Sequence, residues 1–160
     1  MTTIATDGVT MSGDGNSVNE NDIIISTDHQ KVFRLKGGGL FGAAGAASLA
    51  IAARRYFDSA EKKPVWPAEI IPGKAFCALL VRPDGTIYWV GHNGILVSQS
   101  GPAAIGSGST LALGAMYHGA SPRQAVMIAC AHDPFSGGLV HTVHRGLKEV
   151  HDAANQHDPR

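Results

Sequence analysis

Two Asp-Gly dipeptides, each set between short β-branched or apolar runs, constrain this chain more than any other feature. Asp7-Gly8 separates residues 2–6 (Thr-Thr-Ile-Ala-Thr) from Val9-Thr10-Met11-Ser12-Gly13. Arg82-Pro83-Asp84-Gly85 separates Ala75 to Val81 from Thr86 to Val90. Asp-Gly between such runs signals a tight hairpin, because glycine takes the positive φ that these turns need. Antiparallel sheet is therefore expected near the start and in the middle of the chain, and any helix has to pack on it.

The remaining segments fill in around those hairpins. Asp22-Ile23-Ile24-Ile25-Ser26 reads as a short extended piece after the break at Asp14-Gly15-Asn16-Ser17, and Lys31-Val32-Phe33-Arg34-Leu35 alternates as a strand. Leu40-Phe41-Gly42 reads as extended. Small residues from Ala43 to Ala53, leading into Arg54, Arg55, Tyr56 and Phe57, read as the first long helix. Pro64, Pro67 and Pro72 forbid a regular element across 62–73. Ile95 to Ser98 and Ala104-Ile105 could extend the second hairpin. A helix is expected from about Ser109 to Tyr117, a third from Pro122 to about Ala131 behind the cap Ser121, a strand over Leu139 to Val143 and a short helix over 145–156. This order predicts sheets covered by helices, an α/β or α+β layered fold rather than a bundle.

Composition narrows the classes. With 160 residues, 44% hydrophobic and 16% charged, the chain can bury one sizeable core, and we expect one domain over 1–160 with 145–160 as a C-terminal extension. Lys+Arg and Asp+Glu balance at 13 each, which gives no electrostatic reason to expect nucleic acid or an anionic membrane. No run approaches the ~20 apolar residues of a membrane span, and the start lacks a signal-peptide pattern, so a cytoplasmic protein is expected. Cys77 and Cys130 lie in apolar stretches that suit buried thiols. Glycine is in excess, at 20 residues.

Thr2 is the first chemical candidate. Removal of Met1 would give it both a hydroxyl and a free α-amine, and an amine with an ordinary pKa near 7.7–8.0 can act as base toward its own hydroxyl. Asp14 and Lys31 would lie on neighbouring strands if the hairpin forms, as a carboxylate and an ammonium able to stabilise the alkoxide. The competing reading of that pair is a surface ion pair worth about 1 kcal/mol or less.

With these residues in view, the chain resembles the β-type proteasome subunits and their bacterial relative, the HslV peptidase, both N-terminal nucleophile (Ntn) hydrolases. The likeness runs from residue 2 to about 144. It rests on Thr2-Thr3-Ile4, Ser12-Gly13-Asp14-Gly15, Lys31-Val32-Phe33-Arg34-Leu35, Ala43-Ala44-Gly45-Ala46, Ala104-Ile105-Gly106-Ser107-Gly108-Ser109 and Asp133-Pro134-Phe135-Ser136-Gly137-Gly138. The resemblance implies an α+β fold, a four-layer αββα sandwich of two stacked antiparallel sheets flanked by helices. It implies Thr2 as nucleophile, Asp14 and Lys31 as its supporting pair, the Gly45 N–H as oxyanion donor, and Ser107, Asp133 and Ser136 as the groups that orient the terminal amine and a water. Ala43, Ala44 and Ala47 would then leave a roomy side-chain pocket. The resemblance further implies a polypeptide substrate, a homo-oligomeric ring, a separate AAA+ unfoldase, and at most a structural monovalent cation on backbone carbonyls of Cys130, Asp133 and Ser136, with no other cofactor.

Residues 133–138 look proteasome-like, whereas Met-Thr-Thr-Ile and Ala-Ile-Gly-Ser-Gly look HslV-like, and the proline stretch 64–72 occupies the place of the family's second long helix. Other readings are weaker. The run around Gly106 has no lysine to reach a phosphate, so a nucleotide loop is not supported. His132, His141, His144, His151 and His157 match no standard metal spacing. Two alternatives stay open: a non-catalytic ring or scaffold member of the same fold, and an Ntn hydrolase of a small amide.

Overall fold

A computed structural model describes residues 2–19 and 21–146. Both Asp-Gly segments form the expected hairpins, and side chains fix the turns. Strands β1 (Thr3–Thr6) and β2 (Thr10–Gly13) meet at Gly8, with φ +87°, while Asp7 Oδ1 accepts the Val9 and Thr10 N–H groups at 2.9 and 2.7 Å. Strands β7 (Phe76–Val81) and β8 (Ile87–Val90) meet at Gly85, with φ +92°, and Asp84 Oδ1 accepts the Thr86 N–H at 2.9 Å.

The other elements are β3 (Ser17–Val18), β4 (Ile24–Ser26), β5 (Val32–Arg34), β6 (Leu40–Gly45), α1 (Ala47–Phe57), β9 (Leu96–Gln99), β10 (Ala103–Gly106), α2 (Ser109–Tyr117), α3 (Pro122–His132) and β11 (His141–His144). One sheet has the order β10-β1-β2-β11, a second β5-β6-β7-β8-β9, and β3 pairs with β4 alone; every pairing is antiparallel. The protein is thus mixed α and β, with antiparallel sheets and three helices among the described residues.

Strand alternation sorts side chains onto opposite faces. Ile4 and Met11 from the first sheet meet Val32, Leu40, Leu79 and Val81 from the second in one buried cluster between the sheets. The opposite face of the second sheet presents Phe41, Ala78 and Leu80 to Leu49 and Ala53 of α1. Ala5, on the other face of β1, packs with Ala112 and Met116 of α2 and Ala125, Val126 and Ala129 of α3. Full burial of a side chain such as Phe41 or Leu79 is worth about 1.5–3 kcal/mol, so the inter-sheet and helix-facing clusters together dominate the favourable side of folding.

Several boundaries differ from the sequence reading. Ala43 and Ala44 belong to strand β6, and α1 starts only at Ala47. Alanine has no side-chain preference strong enough to hold a helix against a ladder that pairs Ala43 with Ala78 and Ala44 with Cys77. Ala104 and Ile105 do not extend the second hairpin; they pair with Ala5 and Ile4 in the other sheet. Leu96–Gln99 does extend it, on the free side of β8. Ser17, read as part of a break, instead forms a small ladder, together with Val18, with Ile24–Ser26. The last strand begins at His141, because Leu139 instead donates its N–H to Thr27. No helix or strand crosses 58–75, as the prolines require. The expected helix over 145–156 and the state of Met1 lie outside the described residues, apart from Arg145 and Gly146, which are not helical. No helix among the described residues is long and apolar enough to cross a membrane.

Candidate active site

Four ends of elements converge on one buried polar cluster. Asp14 follows β2, Lys31 precedes β5, Ser107 follows β10, and Asp133 caps the C-terminus of α3. Asp14 is fully buried and both of its oxygens are used. Oδ1 accepts from Lys31 Nζ and from the Thr3 N–H, each at 2.9 Å. Oδ2 accepts from the Asn16 and Gly137 N–H groups at 3.3 and 3.2 Å. A carboxylate can take four donors, and this one does, which fixes the strand carrying Thr2 and Thr3 against the lysine.

The second half of the cluster lies one residue along β1. Asp133 Oδ2 accepts the Ser107 and Ser136 hydroxyls at 2.6 and 2.5 Å. Since Ser136 gives its only proton to the carboxylate, its oxygen receives the Thr3 hydroxyl at 2.6 Å. The Thr2 carbonyl lies 3.4 Å from the Ser107 hydroxyl. The loop after α3 is laced to the segment after β2 by the Gly15 and Asn16 N–H groups, both donated to the Gly137 carbonyl.

Burial and charge act against each other at Lys31. Burial pushes its ammonium below the ordinary lysine range, and Asp14 at 2.9 Å pulls it partly back. An ammonium so placed can stabilise a nearby oxyanion and gives up a proton more readily than a surface lysine. At Asp133 partial burial favours the neutral acid, but the two serine hydroxyls and the Phe135 N–H outweigh it, so the carboxyl sits below the usual carboxylate range. Cys130 stands near this cluster; burial, reinforced by the negative charge of Asp14, pushes its thiol up to about 11.

Thr2, 4% exposed, Lys31 and Gly45 all border a cleft of about 860 Å³, a volume in the range of small-molecule and peptide side-chain sites. Helix α1 lines it through Ala47, Ala50, Ile51, Arg54 and Arg55. Ala43 and Ala47 line it as expected; Ala44 does not, because strand alternation turns it into the inter-sheet core. Gly45 has φ +112°, and a Cβ there would run into the Ala75 carbonyl, so its glycine is required by the neighbouring strand's backbone. The carbonyls of Cys130, Asp133 and Ser136 sit at or just past the C-terminal end of α3, the negative end of a helix dipole, and the Asp133 carbonyl also accepts the Ser136 N–H at 3.2 Å. Among the described residues no group of three His, Cys, Asp or Glu side chains is placed to hold a metal ion.

The structure therefore brings together Thr2, Asp14, Lys31, Gly45, Ser107, Asp133 and Ser136. Sequence reasoning missed three parts of the site. Thr3 contributes both its N–H and its hydroxyl, Asn16 borders the cleft, and the far wall is made by Phe33, Arg54 and Arg55. The spacing Ala47, Ala50, Arg54, Asp58 was the available signal for that wall, since residues three and four apart share a helix face.

No protein-family model matches the sequence, and neither does any curated protein. Solved structures do. The chain is similar to Thiobacillus denitrificans BPH, at 20% identity and a TM-score of 0.65 over 91% of this chain and 98% of that one. It is similar to Thiobacillus denitrificans BPH in complex with epoxomicin, at 19% identity and a TM-score of 0.60 over 91% and 99% of the two chains. It is also similar to eukaryotic HslV from Trypanosoma brucei, at 17% identity and a TM-score of 0.62 over 90% and 99%. At these identities the likeness establishes the fold: the chain folds as HslV does, along nearly its whole described length.

Proposed function

From that shared fold we propose that the chain is a threonine-type endopeptidase, acting through Thr2 once Met1 has been removed. The observation that carries this reading is the buried Lys31–Asp14 pair, tied by the same carboxylate to the Thr3 N–H, with Lys31 lining the same cleft as Thr2 and Gly45. In the proposed reaction the Thr2 hydroxyl attacks a peptide carbonyl and its α-amine takes the proton. The Gly45 N–H stabilises the oxyanion, and the Lys31 ammonium lowers the cost of the developing alkoxide. Collapse of the intermediate sends the amine proton to the leaving nitrogen, and water then releases the acyl group from Thr2. Ser107, Asp133 and Ser136 orient the terminal α-amine and position the attacking water.

The three buried clusters support a four-layer αββα sandwich, with the two sheets inside and α1 opposite α2 and α3. We further propose a homo-oligomeric ring enclosing the sites, a cytoplasmic setting and a separate ATP-driven unfoldase. Carbonyl oxygens of Cys130, Asp133 and Ser136 suit a monovalent cation at the end of α3, where it would brace the loop carrying Asp133 and Ser136.

Intact mass spectrometry of the protein, with and without a peptide epoxyketone, tests the reading. Loss of Met1 and one covalent adduct, absent from Thr2→Ala, are expected. A chain that keeps Met1 and takes no adduct would replace this reading with that of a non-catalytic ring member.

A further inference from the structure

The whole chain is formally neutral, but the described residues lining its cleft carry more cations than carboxylates. Besides Lys31, which is paired with Asp14, the charged side chains lining it among the described residues are Lys36, Arg54 and Arg55, with Asp58 as the carboxylate. That carboxylate is already engaged: Oδ1 accepts the Lys36 N–H at 2.9 Å and Oδ2 lies 3.7 Å from Arg54 Nε. Arg54 is held in position by the Phe33 ring, 4.0 Å beneath its guanidinium. Cations in the last turn of a helix complement its dipole, which accounts for their presence at the end of α1 but not for their facing a cleft. Ahead of them on β6 and α1 the lining is uncharged and mostly small: Ala43, Ala47 and Ala50, with Ile51 as the larger apolar side chain. Arg54 stands seven residues beyond Ala47, about 10 Å along the helix, and helical side chains lean back toward the N-terminus, here toward Thr2. A side chain entering past the alanines would meet two guanidinium groups and an ammonium, with Asp58 as the carboxylate among the described lining residues.

We infer that the cleft selects peptides with an acidic side chain on the residue whose carbonyl Thr2 attacks, glutamate ahead of aspartate because of the distance to be spanned, with Arg54 and Arg55 as the specificity-determining residues. The inference rests on the peptidase reading above. A charge-assisted contact at this half-exposed wall is expected to favour Glu over the isosteric Gln by about tenfold in kcat/KM, and added salt should shrink that ratio.

The test is a set of fluorogenic peptides identical except for Glu, Asp, Gln, Leu or Arg before the scissile bond, assayed at low and high salt with the wild type, Arg55→Gln and the charge-reversed pair Arg54→Glu/Arg55→Glu. The Glu-to-Gln ratio is read within each protein, so it does not depend on how much of a variant folds. Expected are a ratio near ten in the wild type, about threefold or less in Arg55→Gln, and a preference for the Arg peptide in the charge-reversed pair. Glu cleaved no faster than Gln by the wild type, or a ratio unchanged in both variants, would overturn the inference while cleavage of the Leu or Gln peptide left the peptidase reading standing. No cleavage of any peptide together with no epoxyketone adduct on Thr2 would overturn both.

Discussion

Replacing Asp14 with Asn removes one charge and one acceptor from a side chain that is fully buried and holds four donors. The amide can turn its nitrogen toward either oxygen's old partners. Facing Oδ1's side, it opposes the Lys31 ammonium and the Thr3 N–H; facing Oδ2's side, it opposes two backbone N–H groups and still takes the Asp14 charge away from Lys31. Breaking a buried pair this way costs about 3–5 kcal/mol, against the roughly 0–1 kcal/mol of an exposed pair. For a domain of this size that is a fall in Tm of roughly 6–20 °C. Urea unfolding, followed by the fluorescence of Trp66 and Trp89 at pH 7.5 and fixed protein concentration, measures it. Lys31→Met and the double variant complete a cycle, in which the double variant should be less destabilised than the sum of the singles by at least about 1 kcal/mol. A loss below about 1 kcal/mol for Asp14→Asn, or strict additivity in the cycle, would refute the claim that the pair is shielded from water.

Three further outcomes follow from the same geometry. Gly45→Ala places a Cβ against the Ala75 carbonyl at φ +112°, so it should lose about 1–3 kcal/mol in the same urea assay and slow epoxyketone labelling. Because the Asp133 carboxyl is held below its ordinary pKa, its contribution to stability is complete above the unfolded-state value of about 3.9 and is lost as pH falls through the lower folded value. Urea midpoints between pH 5 and 2.5 should therefore drop more steeply in wild type than in Asp133→Asn, and equal slopes would contradict it. Cys130, with its thiol pushed up to about 11, has only about one thiolate in a thousand at pH 8. Its alkylation by iodoacetamide, located by peptide mass spectrometry, should be far slower than that of free cysteine and should accelerate up to pH 10.

Much of the fold was legible because its signals are local. Asp7-Gly8, Asp84-Gly85 and the Ser121-Pro122 start of α3 each carry their turn or cap chemistry within four residues, and each formed, down to a reciprocal Ser121–Gln124 capping box. What failed was non-local. Nothing within Ala104-Ile105 says which of two sheets will accept it, since its partners Ile4 and Ala5 lie about a hundred residues away in the chain. Leu-Phe-Gly-Ala-Ala-Gly has too little contrast between its faces to announce a strand, so Ala44 could be assigned to the cleft when the pleat turns it inward. The candidate site residues were proposed through their motif order, and the structure adds what motif order lacks: Thr3 as a double participant, and Arg54 of α1 stacked on Phe33 of β5 beside the cleft.

The hydrogen bond from Thr3 to Ser136 joins residues 133 positions apart, and Asp14 reaches almost as far, to Gly137. During synthesis the strand bearing Thr2 leaves the ribosome long before the loop that completes its polar surroundings. At about 5–20 residues per second the interval is roughly 7–25 s. Throughout it Asp14 lacks one of its four donors and Thr3 lacks its hydroxyl partner, so the nascent chain carries an unfinished cluster. The site's completion is timed by the end of translation of its own domain, and a chain truncated before Asp133 has no route to it.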